Sequence, residues 1–500
     1  FLGFALTCNM IVTGMLLLGG AAVVNGLTGM DISLAAMLIP VGVMIYTLVG
    51  GLKATFVADY MHTVIIFIVI LTFVSMVFFI SPITGGVEGM YNKLVEAASL
   101  NPVLEPTFTP GEPGNAMGAY LTMASAGGLI FGVINIVGNF GTVFVDQAYW
   151  QRAIAAQPSA TVKGFLLGGM CWFAIPFTLA TTMGLTAVAL DVALTPEQVQ
   201  LGLVVPAAAS VLMGEIGAIL VLVMLFMAVT SAGSAELIAV SSLITYDVYR
   251  TYKNPKATGK QLLKVSRGVI VAFGLGMGML AVVLLGMGLS LGFVYLAMGI
   301  LIGSAVIPIA LTITWSRTTR GGAVAGAIIG VMLSLLTWTS VAASEADGVI
   351  DIGSLGGAFP MLYGNVVAIL SSGAICIIIS LAQNKKYDWK ELDQHLSLVT
   401  DDMHVDTAAE LEKRELDEIQ LKKAFKFSLK GGGLLTLIVI IFWPMPLYFS
   451  GYVFDFGFYG LWVGIAITWV TVASAFIIGL PIIESRHGFA KVFSGKKASA

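Results

Sequence analysis

The sequence is poor in charged residues. Asp, Glu, Lys and Arg make up 11% of its 500 residues, against roughly a quarter in soluble domains. A chain with so little charge lacks the polar surface that a globular protein exposes to water. Apolar residues reach 58%, and we therefore expect a polytopic membrane protein whose helices are surrounded by lipid.

Other absences narrow the possible functions. The net charge of −3 is too small to indicate a nucleic-acid partner. No His-Glu-x-x-His, Gly-x-Ser-x-Gly or phosphate-loop motif indicates a membrane-embedded enzyme, and no zinc or haem spacing occurs. Three cysteines lie singly within apolar runs and are interpreted as packing residues, namely Cys8, Cys171 and Cys376. The sequence thus predicts neither catalysis nor a bound cofactor.

Twelve apolar segments are long enough to cross a bilayer as helices, which takes about 20 residues each. They lie at roughly 4–24, 32–50, 54–80, 121–149, 163–190, 207–249, 264–288, 290–316, 321–342, 364–383, 431–450 and 456–483. The sixth segment is too long for one bilayer, so part of it must project. The sequence predicts an all-α membrane protein with about 12 transmembrane helices.

Lys and Arg residues indicate which side of the membrane is cytoplasmic, because they accumulate in cytoplasmic loops. When alternate loops are assigned to one side, starting at Lys53, all but one of the 25 basic residues fall on that side. The exception is Lys93. This bias supports an even number of helices and predicts that the first residues and the C-terminus are both cytoplasmic.

Two loops differ from the apolar segments. Residues 81–120 carry four glutamates and five prolines, and we expect an irregular extracellular cap there. Residues 384–430 are dense in charge, and Thr407 and Glu410 fit a helix capping box. We expect an amphipathic cytoplasmic helix in that segment, either as a solvated connector or as a regulatory element.

A carboxylate, Asp146, closes the fourth segment. Gly138 and Gly141, with Asn139 between them, favour local unwinding of this segment. Transporters form binding sites from such unwound backbone, and the amides, the carboxylate and the nearby aromatic residues suit a small neutral polar solute. The alternative is an interfacial belt in which Asp146 pairs with Arg152.

A second carboxylate, Glu236, lies near the middle of the sixth segment, where a charge costs about 2.5–3.5 kcal/mol on insertion scales. Ser231 and Ser234 precede it and share one helix face. Hydroxyl groups and freed carbonyls there can bind a small cation, and Glu236 can carry a proton. The alternative is close packing of small residues, with each hydroxyl bonded back to a carbonyl.

Two further pairs lie at the ends of segments. Asp59 and His62 begin the third segment and are three residues apart, so their side chains can touch. A buried Asp–His pair can relay protons, and the alternative is a helix cap at the cytoplasmic end. Asp247 and Arg250 end the sixth segment, where a basic residue suits the helix dipole, and they are interpreted as structural.

Several motifs resemble the sodium:solute symporter family. Residues 50–54, followed by Asp59, are similar to the family signature. Residues 151–156 are similar to the motif after the sixth core helix, and residues 231–250 resemble the eighth core helix. The Asp-Gln-x-Tyr-Trp-Gln block at 146–151 is specific to a smaller group of proteins. It resembles the urea–proton symporters, or urea active transporters, within that family.

The resemblance implies a LeuT-type fold of two inverted five-helix repeats with added peripheral helices. Segments within 1–320 match core helices three to ten, so core helices one and two would precede Phe1. We therefore expect this chain, as an N-terminally truncated fragment, not to transport alone. The remaining parts are expected to be peripheral transmembrane helices at 321–383, a charged cytoplasmic segment at 384–430, two C-terminal transmembrane helices at 431–483 and a cytoplasmic tail at 484–500.

The resemblance also implies a function. A urea–proton symporter of the plasma membrane imports urea by proton-coupled alternating access, with polyamines as additional candidate substrates. The residues expected along the substrate path are Asp146, Gln147, Asn139, Trp150 and Tyr149. The residues expected at the coupling-ion site are Ala228, Ser231, Ser234, Asp59 and Glu236.

Two alternatives stay open. Sodium-dependent members carry adjacent hydroxyls on the eighth core helix, whereas here Ser231 is followed by Ala232. The loss of one ligand oxygen fits proton coupling, and a sodium-coupled symporter for another small solute is the second hypothesis. A passive urea channel is the third, although the interior carboxylates favour a coupled carrier. The expected partners are urea, a proton or sodium ion, and the lipid bilayer, and the sequence predicts no particular oligomeric state.

Overall fold

The computed structural model describes residues 1–156, 158–389 and 418–493. Within these ranges, twelve helices are long and apolar enough to cross a membrane, and they overlap the twelve expected segments. We number them α1 Leu2–Thr28, α2 Ile32–Leu52, α3 Thr55–Ile80, α4 Ala126–Val145, α5 Thr161–Ala189, α6 Glu215–Lys253, α7 Gly259–Gly286, α8 Leu291–Thr314, α9 Arg320–Glu345, α10 Ala358–Gln383, α11 Lys422–Ser450 and α12 Phe456–Ile483. The capping box expected at Thr407 and Glu410 lies outside the described residues.

A glycine near the end of α2 breaks the helix just before α3. Helical hydrogen bonding runs almost unbroken from Ile32 to Ser75, but Gly51 has a φ of 57° and a ψ of −167°. A residue with a side chain rarely adopts a positive φ, so glycine is the residue that can make this break. The change of direction brings Asp59 of α3 to α6, where it contacts Ser231.

α1 lies at the centre of the bundle and packs against α2, α4, α6, α7 and α8. Its buried residues Leu17, Ala21 and Val24 form one apolar cluster with α2, α6 and α7. Cys8 joins a second cluster that includes Met298 of α8. A polar residue near Cys8 is therefore enclosed by neighbouring helices on several sides, away from lipid.

The loop between α3 and α4 contains a helix, Gly86–Leu100. The expectation of a wholly irregular cap is therefore wrong in its first half. Met90 and Leu94, four residues apart, are fully buried. They turn one apolar face of the segment towards the core, and this favours a helix despite the nearby glutamates. Residues 101–125 are largely irregular, as expected.

α4 is a continuous helix. The unwinding expected at Gly138 and Gly141 does not occur. These glycines instead let α8 come close, because a β-carbon on either would lie 3.0 Å from a side chain of α8. The chain leaves the helix only at Asp146, where φ is −72° and ψ is 122°. A short helix, Gln147–Ala155, follows directly.

α6 runs for 39 residues. At about 1.5 Å per residue it is roughly twice as long as the hydrocarbon core of a bilayer is thick. The helix therefore projects beyond the membrane, as the sequence predicts. Its middle carries Ser231 and Glu236, and its last part, Leu243–Lys253, forms wide π-helical turns.

Glycines bring α9 and α10 into contact at backbone distance. A β-carbon at Gly326 would lie 2.6 Å from the carbonyl oxygen of Ser372, and one at Gly322 would lie 2.7 Å from that of Cys376. Larger residues at these two positions would push the helices apart. The pair forms a tightly packed hairpin beside α8.

Candidate functional site

Asp146 occupies the break between α4 and the short helix Gln147–Ala155. Its backbone ends α4, and its side chain caps the short helix by accepting a 2.7 Å hydrogen bond from the Ala148 N–H. A carboxylate is favourable there because the first turn of a helix presents free N–H groups. Asp146 is buried, so the break holds a carboxylate inside the protein.

An amide on α1 joins this carboxylate to a second one. The Nδ2 group of Asn9 donates hydrogen bonds of 2.8 Å to Asp146 Oδ1 and 2.7 Å to Glu236 Oε2. The three side chains are 0%, 1% and 3% exposed. The carbonyl oxygen of Asn9 has no hydrogen-bond partner among the described residues. We refer to Asn9, Asp146 and Glu236 as the acidic cluster.

A second polar cluster joins α3, α6 and the short helix. Arg152 Nη2 lies 2.8 Å from Asp59 Oδ2, and the Ser231 hydroxyl donates a 2.5 Å hydrogen bond to Asp59 Oδ1. The guanidinium carbon of Arg152 lies 5.6 Å from the centroid of the Phe56 ring, within cation–π range. We refer to Asp59, Arg152 and Ser231 as the ion-pair cluster.

Both clusters border one cavity of about 600 Å³. Asp146 and Glu236 of the acidic cluster and Arg152 and Ser231 of the ion-pair cluster belong to its wall. Aromatic side chains form another part of the wall, namely Tyr149, Phe165, Trp172 and Tyr295. A concave site with mostly apolar walls and a few oriented polar groups is typical of small-molecule binding.

Three of the five residues predicted along the substrate path line this cavity, namely Asn139, Asp146 and Tyr149. Asn139 Nδ2 donates a 3.2 Å hydrogen bond to Asn135 Oδ1, and the hydroxyl of Tyr295 donates to the same oxygen. This chain of polar groups connects α4 to α8 at the edge of the cavity.

The other two predicted path residues, Gln147 and Trp150, are not among the described residues that line the cavity. Trp150 lies on the short helix, and its indole Nε1 donates a 2.9 Å hydrogen bond to the Phe144 carbonyl at the end of α4. This bond fastens the short helix to α4 across the break. Trp150 therefore contacts the backbone that positions Asp146.

The predicted coupling-ion residues lie close to one another on α6 and α3. Those that line the cavity are Ala228, Ser231 and Glu236. Ser234 is buried, and its hydroxyl donates a 2.9 Å hydrogen bond to the Ser231 carbonyl, which is the bonding that the packing alternative predicts. Asp59 reaches the cavity wall through its contacts with Ser231 and Arg152.

Two contacts considered from the sequence do not occur. Asp146 does not pair with Arg152, because Arg152 binds Asp59 instead. Asp59 has Arg152 and Ser231 as partners and makes no hydrogen bond to His62 within the described part of the chain. The expected Asp59–His62 proton relay therefore lacks a direct hydrogen bond, although Asp59 interacts electrostatically with His62.

Sequence reasoning missed Asn9 and the partner of Arg152. Asn9 is the one amide in the first half of α1, where the nearest polar side chains are the hydroxyls of Thr7 and Thr13, and a buried amide in a transmembrane helix requires a polar partner. That requirement is the signal that points to Asn9. Nothing in the local sequence of Arg152 indicates that its side chain contacts α3. In the described ranges, no group of three or more His, Cys, Asp or Glu residues could hold a metal ion.

Comparisons with known proteins show the family and the fold of the chain. Residues 4–330 match the sodium:solute symporter family. The urea-proton symporter DUR3 of Oryza sativa subsp. japonica is 49% identical over 99% of this chain and 68% of the relative. Probable urea active transporter 1 of Schizosaccharomyces pombe is 41% identical over 100% of this chain and 74% of the relative. The urea active transporter of Saccharomyces cerevisiae is 36% identical over 99% and 75%, respectively.

A solved structure of a Na+-coupled sialic acid symporter, in a substrate-bound outward-open state, has a similar fold. It aligns with a TM-score of 0.58 and 17% identity, covering 79% of this chain and 76% of that chain. At this identity the likeness concerns the fold alone, and the expected LeuT-type arrangement is confirmed. With twelve apolar helices in the described residues and a family match over more than half its length, the chain is a multi-pass integral membrane protein that belongs to the sodium:solute symporter family.

Proposed function

We propose that this chain forms the core of a secondary active transporter that imports urea together with protons by alternating access. The acidic cluster carries the proposal. Two buried carboxyl groups, Asp146 and Glu236, share one amide donor and border one cavity. A proton and a solute can therefore meet the same pair of groups. The relatives named as a urea-proton symporter and a urea active transporter support urea as the substrate.

The chemistry of urea fits the groups around the cavity. Urea is neutral and planar, with N–H donors at two ends and one carbonyl acceptor. Asp146 and Glu236 can accept its N–H groups, and the Arg152 guanidinium can donate to its carbonyl. The rings of Tyr149 and Tyr295 can cover its faces. Polyamines are the additional candidate substrates, because their cationic N–H donors would use the same carboxylates.

The other predicted path residues take two kinds of role in this proposal. Asn139 and Tyr149 contact the solute from the cavity wall. Gln147 and Trp150 act indirectly, because they belong to the short helix that holds Asp146 in place. The hydrogen bond of Trp150 to the end of α4 supports this positioning role.

Glu236 is the proposed proton carrier. Two carboxyl groups that share one amide inside a membrane protein cannot both be charged at low cost, because each buried charge needs its own partner. A proton on Glu236 removes one charge, and its release restores that charge. Asp59 is the second carrier candidate. Its ion pair with Arg152 favours a role in holding α3 to the short helix instead.

The oxygen atoms of α6 favour proton coupling over sodium coupling. The Ser231 hydroxyl is bound to Asp59, and the Ser231 carbonyl accepts the hydroxyl of Ser234. Ala232 adds no side-chain oxygen, and Ala228 offers only its carbonyl. A sodium-coupled symporter is the second candidate function, because Asp59 and Ser231 together still present oxygens to a cation.

We further propose a location and a division of the chain. The basic-residue bias supports a cytoplasmic C-terminus, and the resemblance to the urea–proton symporters supports the plasma membrane. The tight α9–α10 hairpin beside α8 supports a boundary near residue 320. The proposed parts are the transporter core at 1–320, peripheral helices at 321–383, a cytoplasmic connector at 384–430, two further transmembrane helices at 431–483 and a cytoplasmic tail at 484–500.

Uptake of labelled urea by the full-length protein in proteoliposomes tests the proposal. An inward proton gradient at equal sodium should drive accumulation above the external concentration, whereas an inward sodium gradient at equal pH should not. Accumulation with sodium alone would favour the second candidate. Equilibration without accumulation under either gradient would indicate a channel and would overturn the proposal.

A further inference from the structure

We propose that Asn9 is a positioning residue that couples protonation of the acidic cluster to solute binding. The inference rests on the proposed function and goes beyond it, because Asn9 is not among the residues expected along the substrate path or at the coupling-ion site. Asn9 is fully buried and is not among the described residues that line the cavity. It therefore acts through Asp146 and Glu236 and does not touch the solute itself.

The two N–H groups of the Asn9 amide donate to carboxyl groups on two other parts of the structure, the end of α4 and the middle of α6. Asp146 and Glu236 lie 137 and 227 positions from Asn9 in the sequence. An N–H bond to a carboxylate favours its ionised form. Because both bonds come from one planar group, a displacement of either carboxyl group moves the amide and thus disturbs the other bond. A change at Asp146, where the solute binds, is thereby passed to Glu236.

The Asn9 amide can also accept a hydrogen bond through its carbonyl oxygen when the amide rotates. This oxygen is buried and has no hydrogen-bond partner within the described residues, which is an unfavourable state for a polar atom. When a neighbouring carboxyl group takes up a proton, it becomes an O–H donor that needs an acceptor. Rotation of the amide brings its carbonyl oxygen to that donor. Each protonation state of the cluster then matches one orientation of Asn9.

Other titratable or charged groups also face the acidic cluster. Cys8 precedes Asn9 on α1, and Tyr149 and Arg152 lie on the short helix. Arg152 is already held by Asp59. Among the described hydrogen bonds, none from these groups reaches both carboxyl groups, as the Asn9 amide does. Asp146 and Glu236 also interact directly with each other, so removal of the amide should weaken the coupling between them and should not abolish it.

The pH dependence of urea uptake by Asn9 variants of the full-length protein tests the inference. Asn9→Leu keeps the number and branching of the side-chain heavy atoms and removes both donors and the acceptor. We expect the pH midpoint of uptake to move up by about one unit, because the loss of two charge-assisted donor bonds to the ionised form outweighs the loss of one neutral acceptor bond to the protonated form. The KM for urea should rise by about tenfold as well. Asn9→Gln retains the amide and should shift both values less.

Asn365→Leu is the matched control. Asn365 is equally buried, donates hydrogen bonds of 2.9 Å and 2.8 Å to the Leu296 and Met361 carbonyls, and also has a carbonyl oxygen without a described partner. It does not line the cavity in the described structure. Asn365→Leu should therefore leave the pH midpoint unchanged, even where it lowers the amount of folded protein.

The outcomes separate this inference from the proposed function. Proton-driven uptake by the wild type, with the same midpoint in Asn9→Leu as in Asn365→Leu, would overturn the inference and keep the function. Absence of proton-driven uptake by the wild type would overturn both. If Asn9→Leu does not fold, the smaller Asn9→Ser variant supplies the same readout, and an unshifted midpoint there would also overturn the inference.

Discussion

The acidic cluster and the ion-pair cluster border one cavity but balance their charges differently. In the ion-pair cluster, Asp59 meets Arg152 at 2.8 Å, so the two charges cancel. In the acidic cluster, Asp146 and Glu236 are bridged by the neutral amide of Asn9. Two carboxyl groups without a bound counter-charge are unfavourable unless a proton or ligand joins them. The difference indicates that a proton changes the net charge in the acidic cluster, whereas the ion-pair cluster holds helices together.

The clusters also differ in their access to solvent. The side chains of Arg152 and Asp59 are 29% and 18% exposed, whereas the residues of the acidic cluster are at most 3% exposed. The paired atoms, Asp59 Oδ2 and Arg152 Nη2, are themselves buried, but water reaches the rest of both side chains and lowers the penalty for breaking the pair. Changes in the acidic cluster should therefore have larger effects than changes in the ion-pair cluster.

The largest effect is expected from Asp146→Asn, which breaks the acidic cluster while nearly keeping its shape. The substitution removes the charge that accepts the Asn9 and Ala148 N–H groups and the solute. The kcat/KM for urea uptake should fall by about a hundredfold, with expression intact. Asp31→Asn, at an exposed helix cap, is the control and should transport normally. Uptake by Asp146→Asn at the wild-type level would remove Asp146 from the site.

A double-mutant cycle on Asp59 and Arg152 should give the next largest effect. Either single variant, Asp59→Asn or Arg152→Gln, leaves one charge without its partner and should lower uptake by about tenfold. The double variant should lose much less than the product of the two single losses, because it leaves no unpaired charge. Uptake at one fixed pH measures the coupling. Multiplicative losses would mean that the ion pair does not act as a unit.

A third substitution, Ala232→Ser, sharpens the comparison by adding the hydroxyl found in sodium-dependent members. We expect no sodium stimulation of urea uptake, because the hydroxyl of Ser231 stays bound to Asp59 and a single added oxygen leaves the site incomplete. Uptake in sodium and in choline buffer at one pH measures this. Clear stimulation by sodium would show that the ion-pair cluster can serve as a cation site.

The smallest effect concerns Asp455, a carboxylate outside both clusters. Hydrogen bonds from the Phe458 N–H and the Tyr452 hydroxyl lower the pKa of Asp455 below its ordinary value of 3.8. Its stabilising contribution is complete above about pH 4 and is lost as pH falls through the lowered pKa. Asp455→Asn should lower the melting temperature by about 1 °C at pH 7, less at pH 3, and leave urea uptake unchanged. A larger fall in melting temperature at pH 3 than at pH 7 would contradict the expected pH dependence of the contribution of Asp455.

The transmembrane helices could be predicted from the sequence because hydropathy is a local property. The twelve described helices overlap the expected segments, and the break before α3 lies at a glycine of the expected signature, Gly51. Asp146 and Glu236 could be found because a carboxylate in apolar surroundings is itself a signal. The helix at 86–100 was harder to predict, because the buried face of Met90 and Leu94 depends on what packs against it.

The partners of the site residues could not be predicted, because they depend on how distant helices pack. Asn9 meets carboxyl groups more than a hundred positions away. Asp59 binds Arg152 and not His62, although His62 is much nearer in sequence. Spacing on one helix shows which side chains can touch within it, and these contacts form between helices.

The most direct test of the central claim, that Glu236 carries the coupled proton, is a comparison of two transport modes in Glu236→Gln proteoliposomes. Gln can accept the Asn9 bond through its carbonyl but cannot release a proton. Accumulation of labelled urea under a proton gradient should fall to the equilibrium level, while exchange of labelled for unlabelled urea at equal pH should persist. Wild-type accumulation with an unchanged pH profile would contradict the account and make Glu236 a packing residue.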